Sequence, residues 1–582
     1  MKKYIILILI LFVFNILSSQ VVLVPLNDDV YDFLEILEIK GLLGKSFLDI
    51  KPLSRKDVAT FLLKTIDNPN YKNLPSSMKV RLLEYLKKYN YEKHFVDEDL
   101  QFIEILEEGL SLLTQKKVSL SKPDSIKKWK PLHFPYKFQN DNCFLQFNPT
   151  VLLEYSYNSS DSNYFAKDYT KITAGARIFG YLGNHIGFGF RAVNNRIEGN
   201  EFDLMKTDCS AQGVGSLVTR GTFYDEVDAY ISHSSKYVEL VFGKFANYWG
   251  SGKTGSISIS NRAPSYPQIM LKTGFSDWLK FVYFHGWLES NELDDSSSYV
   301  INYGNDHEFE RKFYKSKYIA AHRLDIFPFA NLKIGLSEIL YYGETRPKII
   351  YLIPIMFFWS AQHQTNDQDN EEIGIDIEWL PTNYCKFYGS MIIDDIRLTK
   401  IFSENESLNY FGYQLGAFFF DPYVNKLDFR IEYTRINPWV YTHKFPVNCA
   451  TSDGYQMGYW AGQNSDNLYL ELGYKISESS SLDFIFSHYR KGAQDSIFQQ
   501  YEIPPAEKFM YGHQYTKNTF GINLEFKILS QIRGEIGYTF LKCDVNEKNI
   551  AKAEQGIYVN PVYYTNDFYR NSIRFSVGYG FK

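Results

Sequence analysis

An outer-membrane β-barrel of about eighteen antiparallel strands, preceded by a small helical bundle, is the fold class this sequence predicts. Three observations predict it. From about Cys143 onward, apolar and polar residues alternate with a period of two, as they do in a strand that faces lipid on one side and a polar lumen on the other. The connections between these segments alternate between short and long. Aromatic residues make up 17% of the chain, with 46 Tyr and 46 Phe, an excess that belts of rings at the two membrane interfaces would account for.

Taken in order, the chain opens with Met1-Lys2-Lys3, an apolar run from Tyr4 to Leu17, and Ser18-Ser19-Gln20. This reads as a secretory signal peptide cut between Ser19 and Gln20. No cysteine stands at that point, so a lipoprotein anchor is not expected. The alternative, a transmembrane anchor, is disfavoured because the run is short for a bilayer-spanning helix. No later stretch approaches the ~20 apolar residues such a helix needs. The longest, Ile349 to Ser360, is too short and contains Pro354. The organisation is therefore a signal peptide over 1–19, a periplasmic helical bundle or plug over 20–130 and a barrel over 131–582.

Within 20–130, Asp28 or Asp29 can cap a helix whose apolar face is Val30, Phe33, Leu34 and Leu37, ending near Gly41. Ser54 with Asp57 three residues on is a capping-box variant that opens a helix carrying Val58, Phe61, Leu62 and Ile66. A third helix follows Pro75-Ser76-Ser77, with Val80, Leu82, Leu83 and Leu86 inward. A fourth spans about Glu98 to Leu113. A bundle of roughly 100 residues can hold its own core, yet is small enough to want a larger surface to pack against.

In the barrel, Leu427, Phe429, Ile431 and Tyr433 alternate with Asp428, Arg430, Glu432 and Thr434. Ile573, Phe575 and Val577 alternate with Arg574, Ser576 and Gly578, and Val227, Ala229 and Ile231 with Glu226, Asp228 and Tyr230. Lipid tolerates no unpaired sheet edge, so such a sheet must close on itself. Short connections are expected at Gly183-Asn184, Ser234-Ser235, Pro328-Phe329, Pro381-Thr382, Val424-Asn425, Glu478-Ser479 and Ser530-Gln531. Long ones are expected over Glu198 to Gly221, Ala246 to Ser265, Asn291 to Arg311, Gly343 to Gln368, Pro438 to Ser465, Gly492 to Tyr515 and Asp544 to Asn566. Short periplasmic turns and long extracellular loops characterise this class, and an even strand number leaves both termini on the periplasmic side. The chain ends Tyr579-Gly580-Phe581-Lys582, a terminal aromatic followed by one lysine. A soluble solenoid or sandwich would not produce two classes of loop length. The inward charges, among them Asp428, Arg430, Glu432, Arg533, Glu535 and Arg574, either line a water channel or pair across a filled lumen. The available bundle favours the second.

A formal net charge of −5 over 582 residues argues against a nucleic-acid partner. Cys143, Cys209, Cys385, Cys449 and Cys543 are scattered, with neither metal spacing nor a disulfide framework; a Cys209–Cys449 bridge is the one pairing considered. No cofactor is implied. Gly252-Lys253-Thr254 looks like the end of a phosphate loop, but position 247 is Asn where that loop needs Gly. Asp394 and Asp395 are adjacent in a strand, so they point to opposite faces and do not share one substrate. His322 and Arg323 read as a lumen hydrogen-bonding pair. The eleven histidines complete no zinc-protease spacing, and no Gly-x-Ser-x-Gly elbow is present.

What the long loops hold is aromatic rings among small polar residues. Tyr248 and Trp249 precede Asn261 and Arg262 in one loop; Trp439, Tyr441, His443, Tyr459 and Trp460 lie in another. Flat rings can stack on sugar faces while Asn, Arg and His bond hydroxyls, and binding sites likewise pair apolar walls with a few placed polar groups. The competing reading is that these rings pack the loops against one another.

Val24-Pro25-Leu26 through Tyr31, Gly41-Leu42-Leu43 and Arg55 resemble the helical N-terminus of the Wzi family of outer-membrane capsule assembly proteins. Phe242-Gly243-Lys244, Tyr248-Trp249-Gly250-Ser251-Gly252 and Ser260-Asn261-Arg262-Ala263-Pro264 resemble its most specific motif. His322-Arg323, Gly335-Leu336-Ser337, Asp394-Asp395 and Glu432-Tyr433-Thr434-Arg435 to Pro438 fit the same ordered set. The resemblance covers nearly the whole mature chain. It implies an eighteen-stranded barrel with a periplasmic helical bundle, and a non-enzymatic role in holding exported capsular polysaccharide, or another exopolysaccharide, at the cell surface. Outer-membrane lipid and the polysaccharide export machinery are the further partners it implies. A porin-like channel and an outer-membrane lipid or glycan hydrolase are the alternatives.

Overall fold

The computed structural model describes residues 18–19, 21–92, 135–140, 143–162, 167–183, 186–199, 216–218, 221–235, 237–302, 308–364, 368–395, 410–422, 424–477, 479–494, 507–529, 531–546, 551–552 and 563–580. Nearly all of the expected signal peptide, the expected fourth helix over Glu98 to Leu113, and Cys209 with its considered partner bond lie outside these residues.

Period-two patterning yields strands β1 (Cys143–Ser160), β2 (Asp168–Leu182), β3 (Ile186–Gly199), β4 (Gly221–Ser235), β5 (Val238–Phe245) and β6 (Tyr266–Ser276). They continue as β7 (Leu279–Leu293), β8 (Tyr314–Phe329), β9 (Leu332–Gly343), β10 (Asn370–Thr382), β11 (Cys385–Asp395) and β12 (Tyr410–Phe420). The last six are β13 (Leu427–Ile436), β14 (Ser465–Ser477), β15 (Ser480–Lys491), β16 (Tyr515–Leu529), β17 (Ile532–Val545) and β18 (Phe568–Tyr579). Each pairs antiparallel with the next, and β18 returns to β1, with Tyr579 opposite Val151 and Arg570 opposite Ser160. These eighteen close the barrel. The main sheet counts 21 strands because Ser18–Ser19, Tyr136–Asn140 and Ser216–Val218 add short pairings to it.

Alternation sorts the side chains as the sequence predicts. On β13, Ile431 and Tyr433 are each 37% exposed on the outer wall, whereas Arg430 and Glu432 are buried in the lumen. Ile573, Phe575 and Val577 of β18 likewise stay on the outside. Several turns differ from expectation. A short turn at Asp277-Trp278 joins β6 to β7, and those after β8 and β10 fall at 330–331 and 383–384. Each lies two residues beyond Pro328-Phe329 and Pro381-Thr382, because the ladder carries on through a register shift on both strands. β1 also leads to β2, and β11 to β12, at the long-loop end. The loop after β5 is therefore the third on that end, where the sequence count made it the second.

At the short-turn end, which is periplasmic in this class, lie α1 (Val30–Ile39), α2 (Arg55–Asp67) and α3 (Ser76–Lys88). The caps are those the sequence predicts. Asp28 accepts from the Val30 N–H at 3.1 Å, and Ser54 Oγ from the Asp57 N–H at 2.9 Å. Val30, Phe33, Leu34, Leu37, Val58, Leu62, Leu82, Leu83 and Leu86 belong to one core with Met78 and Tyr85, whereas Val80, expected inward, is only half-buried and lies outside it. Phe418 and Phe420 of β12 belong to that same core, so the bundle and the barrel wall share one apolar interior.

Charge pairs dock the bundle around the wall. Glu35 meets Arg430 at 2.8 Å, Glu38 meets Lys386 at 3.0 Å, Asp57 meets Lys280 at 3.8 Å, and Asp29 meets Arg533. Burial alone would raise the carboxyls of Asp29 and Glu35. Lys88 and Arg533 beside the first, and Arg430 and Lys386 beside the second, outweigh it and hold both below the ordinary carboxylate range.

Candidate functional site

Loop 246–265 leaves β5 and turns into the lumen. There Tyr248–Trp249 pairs antiparallel with Ile50–Lys51 of the segment between α1 and α2, Trp249 opposite Ile50. Gly250, at φ +121°, donates its N–H to the Asp49 carbonyl at 2.9 Å. Only glycine adopts that conformation without strain. The Trp249 ring, 1% exposed, stands edge-on to Phe284 with centroids 5.3 Å apart. The loop then doubles back, and Ile259 accepts from the Trp249 N–H at 2.9 Å. Ile257 and Ile259 are buried on one side of this return, and Ser256 and Ser258 are bonded within it.

Lys253 and Thr254 do what the phosphate-loop likeness suggested, but to a carboxylate of the wall. Their N–H groups donate to Glu432 of β13 at 2.6 and 3.0 Å. Gln414 of β12 donates to the Gly255 carbonyl at 2.9 Å. The tip of the loop is thereby fixed to the strands opposite its root.

Loop 437–464 closes over this return. The Tyr441 hydroxyl donates to the Ile257 carbonyl at 2.6 Å and accepts from the Tyr459 N–H at 3.2 Å. Ser260 bonds Met457 and Gly458 at 2.7 and 2.6 Å. Trp439 and Tyr441 both carry positive φ, near +70°, which costs a residue with a Cβ on the order of 1–3 kcal/mol. Gln463 accepts from the Trp439 N–H at 2.9 Å, and Asp394 from the Tyr441 N–H at 2.5 Å, which holds them there. Burial raises the Tyr459 phenol to about 12 and pushes Tyr441 and Tyr248 up as well. All three are neutral at physiological pH.

The predicted site residues thus divide. Trp249, Trp439, Tyr441 and Tyr459 are buried where the two loops interlock, and Tyr248 is half-buried under Lys51, whose ammonium sits 5.4 Å from its ring centroid. Asn261 is exposed. Arg262, His443 and Trp460 are half-buried: Arg262 lies over the Tyr455 ring at 5.5 Å, and Trp460 packs on Tyr489 at 5.0 Å.

Below the loops the lumen carries a charge network. Arg323 of β8 bonds Asp325, Asp376 and Asp49, and Lys333 of β9 bonds Asp49 and, at 2.7 Å, Glu378. Lys386 continues it to Glu378 and Glu38 at 3.4 and 3.0 Å. Asp49 therefore ties the N-terminal segment to the wall at the level where the same segment pairs with the loop. His322 does not join Arg323 in the lumen. Adjacent strand residues face opposite sides, and His322 lies on the outer wall with Glu338 at 2.9 Å.

Sequence reasoning missed Asp49 and Gln414, and it counted Glu432 among the inward charges without naming what Glu432 holds, because each is distant in sequence from its partner. The one available signal was the run of amides at Lys253 and Thr254, which needs an anion. Asp394 accepts from the Tyr441 N–H. No group of three or more metal-ligating side chains occurs among the described residues.

The model of one protein family, described as capsule assembly protein Wzi, matches residues 160–555. No curated protein sequence matches the chain. Among solved structures, the chain is similar to Wzi of Escherichia coli, described as an outer-membrane protein involved in group 1 capsule assembly and a carbohydrate-binding β-barrel. The TM-score is 0.53 at 14% identity, covering 95% of this chain and 98% of that one. OprD of Pseudomonas aeruginosa gives 0.38 at 12% identity over 74% of this chain and 92% of that one. OccAB1 of Acinetobacter baumannii gives 0.41 at 8% identity over 74% and 96%.

Proposed function

The chain belongs to the Wzi family of capsule assembly proteins, as a bacterial outer-membrane β-barrel, and on that premise we propose that it binds exported capsular polysaccharide or a related exopolysaccharide and helps to attach it at the cell surface, without catalysis. The observation that carries this reading is the interlock of loops 246–265 and 437–464 over a lumen crossed by the N-terminal segment. A barrel built this way offers a rigid outer surface where a porin offers a conduit. The carbohydrate-binding description of the Escherichia coli structure supports the same choice.

In this reading Trp249, Trp439, Tyr441, Tyr459 and Tyr248 are the wall that sets the shape of the mouth. Asn261, Arg262, His443 and Trp460 are the groups that reach the glycan, the indole stacking on a sugar face and the others bonding hydroxyls or acidic substituents. The partners are the polysaccharide, the surrounding lipid and the export machinery that delivers the chain.

Deleting the gene and measuring cell-bound against shed polysaccharide tests the reading: the bound fraction is expected to fall. An unchanged bound fraction refutes attachment. A large steady conductance of the pure protein in planar bilayers refutes the closed surface on which the reading stands.

A further inference from the structure

The segment 344–364, which follows β9, runs the other way. The polar outer-wall residues it meets are out of place on a lipid face: His322, Glu338, Tyr283 and Tyr342, the last bonded to His285 of the wall at 2.7 Å. Their side is fixed by the register, since Leu324 and Leu336, of the same parity as His322 and Glu338, are exposed on the outer wall, while Arg323 and Ser337 are buried. Glu338 lies five residues below the end of β9 at Gly343, ~17 Å along the strand. That depth falls within the band of a barrel wall that meets lipid, whose opposite margin carries the exposed rings of Trp278, Phe329 and Trp379.

The segment descends over this polar patch and covers it. Glu338 accepts from the Phe358 and Trp359 N–H groups at 2.9 and 2.8 Å, and the Phe358 ring sits 4.6 Å from that of His322. The Tyr283 hydroxyl donates to the Tyr351 carbonyl at 2.8 Å, and the Tyr342 hydroxyl accepts from the Lys348 N–H at 3.3 Å. Tyr351, Phe358 and Ala361 are buried against the wall. The opposite side of the segment is apolar and open: Ile349 is 78% exposed, Ile355 84%, Phe357 55% and Trp359 51%, with Leu352 and Ile353 also exposed. No charged residue occurs between Ile349 and Ser360.

We propose that segment 349–359 is a strap immersed among the acyl chains of the outer leaflet, a lipid-binding surface laid over the barrel wall. One occupant fits this surface. It is continuous with the lipid-facing wall, it carries no charge for water to solvate, and six large apolar side chains in one short stretch are more than a water-facing loop ordinarily exposes. By donating two N–H groups to Glu338 and laying the Phe358 ring on His322, the strap shields polar groups of the wall from hydrocarbon at membrane depth. The proposal is independent of the glycan reading.

Depth-dependent quenching tests it on the full-length protein in phosphatidylcholine nanodiscs. The Trp359 contribution is the difference in emission between the wild type and Trp359→Phe. Lipids brominated on the acyl chain are expected to remove most of it, and aqueous iodide to leave it unchanged. Quenching by iodide overturns the proposal, because the strap then stands in water. A contribution that neither agent touches overturns it as well, because protein then covers the segment. Ile355→Trp in the Trp359→Phe background repeats the reading at a second position, and should the latter substitution prevent folding, Ile355→Trp in the wild-type chain supplies the reporter instead.

Discussion

Loop 246–265 and segment 344–364 rise from the same end of one barrel and fold in opposite directions. The first enters the lumen, the second covers the outer wall. The inward loop is built of glycines, serines and short apolar residues. Its backbone finds polar partners on all sides: the Asp49 carbonyl and the Glu432 carboxylate accept from its N–H groups, and Gln414 donates to its Gly255 carbonyl. The outward segment is Ile-Ile-Tyr-Leu-Ile-Pro-Ile-Met-Phe-Phe-Trp from Ile349 to Trp359, and it closes its own hydrogen bonds through short helical turns, Ile349–Leu352 and α4 (Phe358–His363). What separates them is where unpaired backbone groups can be satisfied. A lumen lined with charges accepts an irregular loop, whereas lipid accepts only a segment that brings few unpaired groups with it. Loop direction is thus decided by the wall a loop will lean on as much as by its own residues.

The largest effect should come from the charge network under the inward loop. Arg323→Ala leaves Asp49, Asp325 and Asp376 buried without their guanidinium, and removing one partner of a buried pair costs on the order of 3–5 kcal/mol. The variant is expected to unfold at markedly lower denaturant and to expose the segment between α1 and α2 to protease while the barrel is still closed. Protection of that segment equal to the wild type would mean that Asp49 is not what holds it.

A pair of tryptophans sharpens the contrast. Trp249→Ala removes a ring buried on Phe284, a change that costs about 3–5 kcal/mol in a packed core. It should also loosen the pairing with Ile50–Lys51, seen as channel-like openings in bilayers. Trp359→Ala removes a ring whose outer face meets only lipid, so stability should move by about 1 kcal/mol or less. Equal losses in thermal unfolding of the two would erase the distinction between the inward loop and the outward strap.

The barrel was legible because its signal is local. Leu427 to Tyr433 and Ile573 to Val577 show their two faces within one segment, and Asp28 and Ser54 announce their helices a few residues ahead. What could not be read depends on partners far away in sequence. Trp249 is conspicuous, yet its burial comes from Ile50–Lys51 and Phe284. Lys253-Thr254 advertises an anion site without naming Glu432. His322 was placed in the lumen because Arg323 belongs there, although period two assigns neighbours to opposite faces. Ile349 to Ser360 stood out as the longest apolar stretch, and only the polar outer wall of β7 to β9 explains which side of the barrel it takes.

Acid should probe the charges that dock the helical bundle. Asp29, Glu35 and Asp49 are held below the ordinary carboxylate range, burial raising each and Lys88 with Arg533, Arg430 with Lys386, and Lys333 with Arg323 outweighing it. A depressed folded pKa contributes stability that is fully present above the unfolded value near 4 and is lost as pH falls through the folded one. Hydrogen exchange in α1 should therefore stay protected from pH 8 to about 5 and loosen only below about 4. Loosening of α1 near pH 6 would assign its docking to other contacts.

The smallest expected effect is at the mouth itself, and it separates wall from contact. Trp460 packs on Tyr459 and Tyr489 yet remains half-exposed, while Arg262 rests on Tyr455. An aromatic contact contributes about 0.5–1.5 kcal/mol beyond its burial, so Trp460→Ala should weaken polysaccharide retention by roughly five-fold, the factor that 1 kcal/mol converts to at 25 °C. The barrel should keep its folded mobility on gels. Arg262→Ala should add a salt-dependent loss if the glycan is acidic, since a half-buried cation at the rim is screened by ions. Trp439→Ala, by contrast, removes a ring that holds the loop shape, and should lower retention and loop stability together. If Trp460 and Arg262 behave like Trp439, the mouth is a packed lid and the glycan contacts lie elsewhere on the loops.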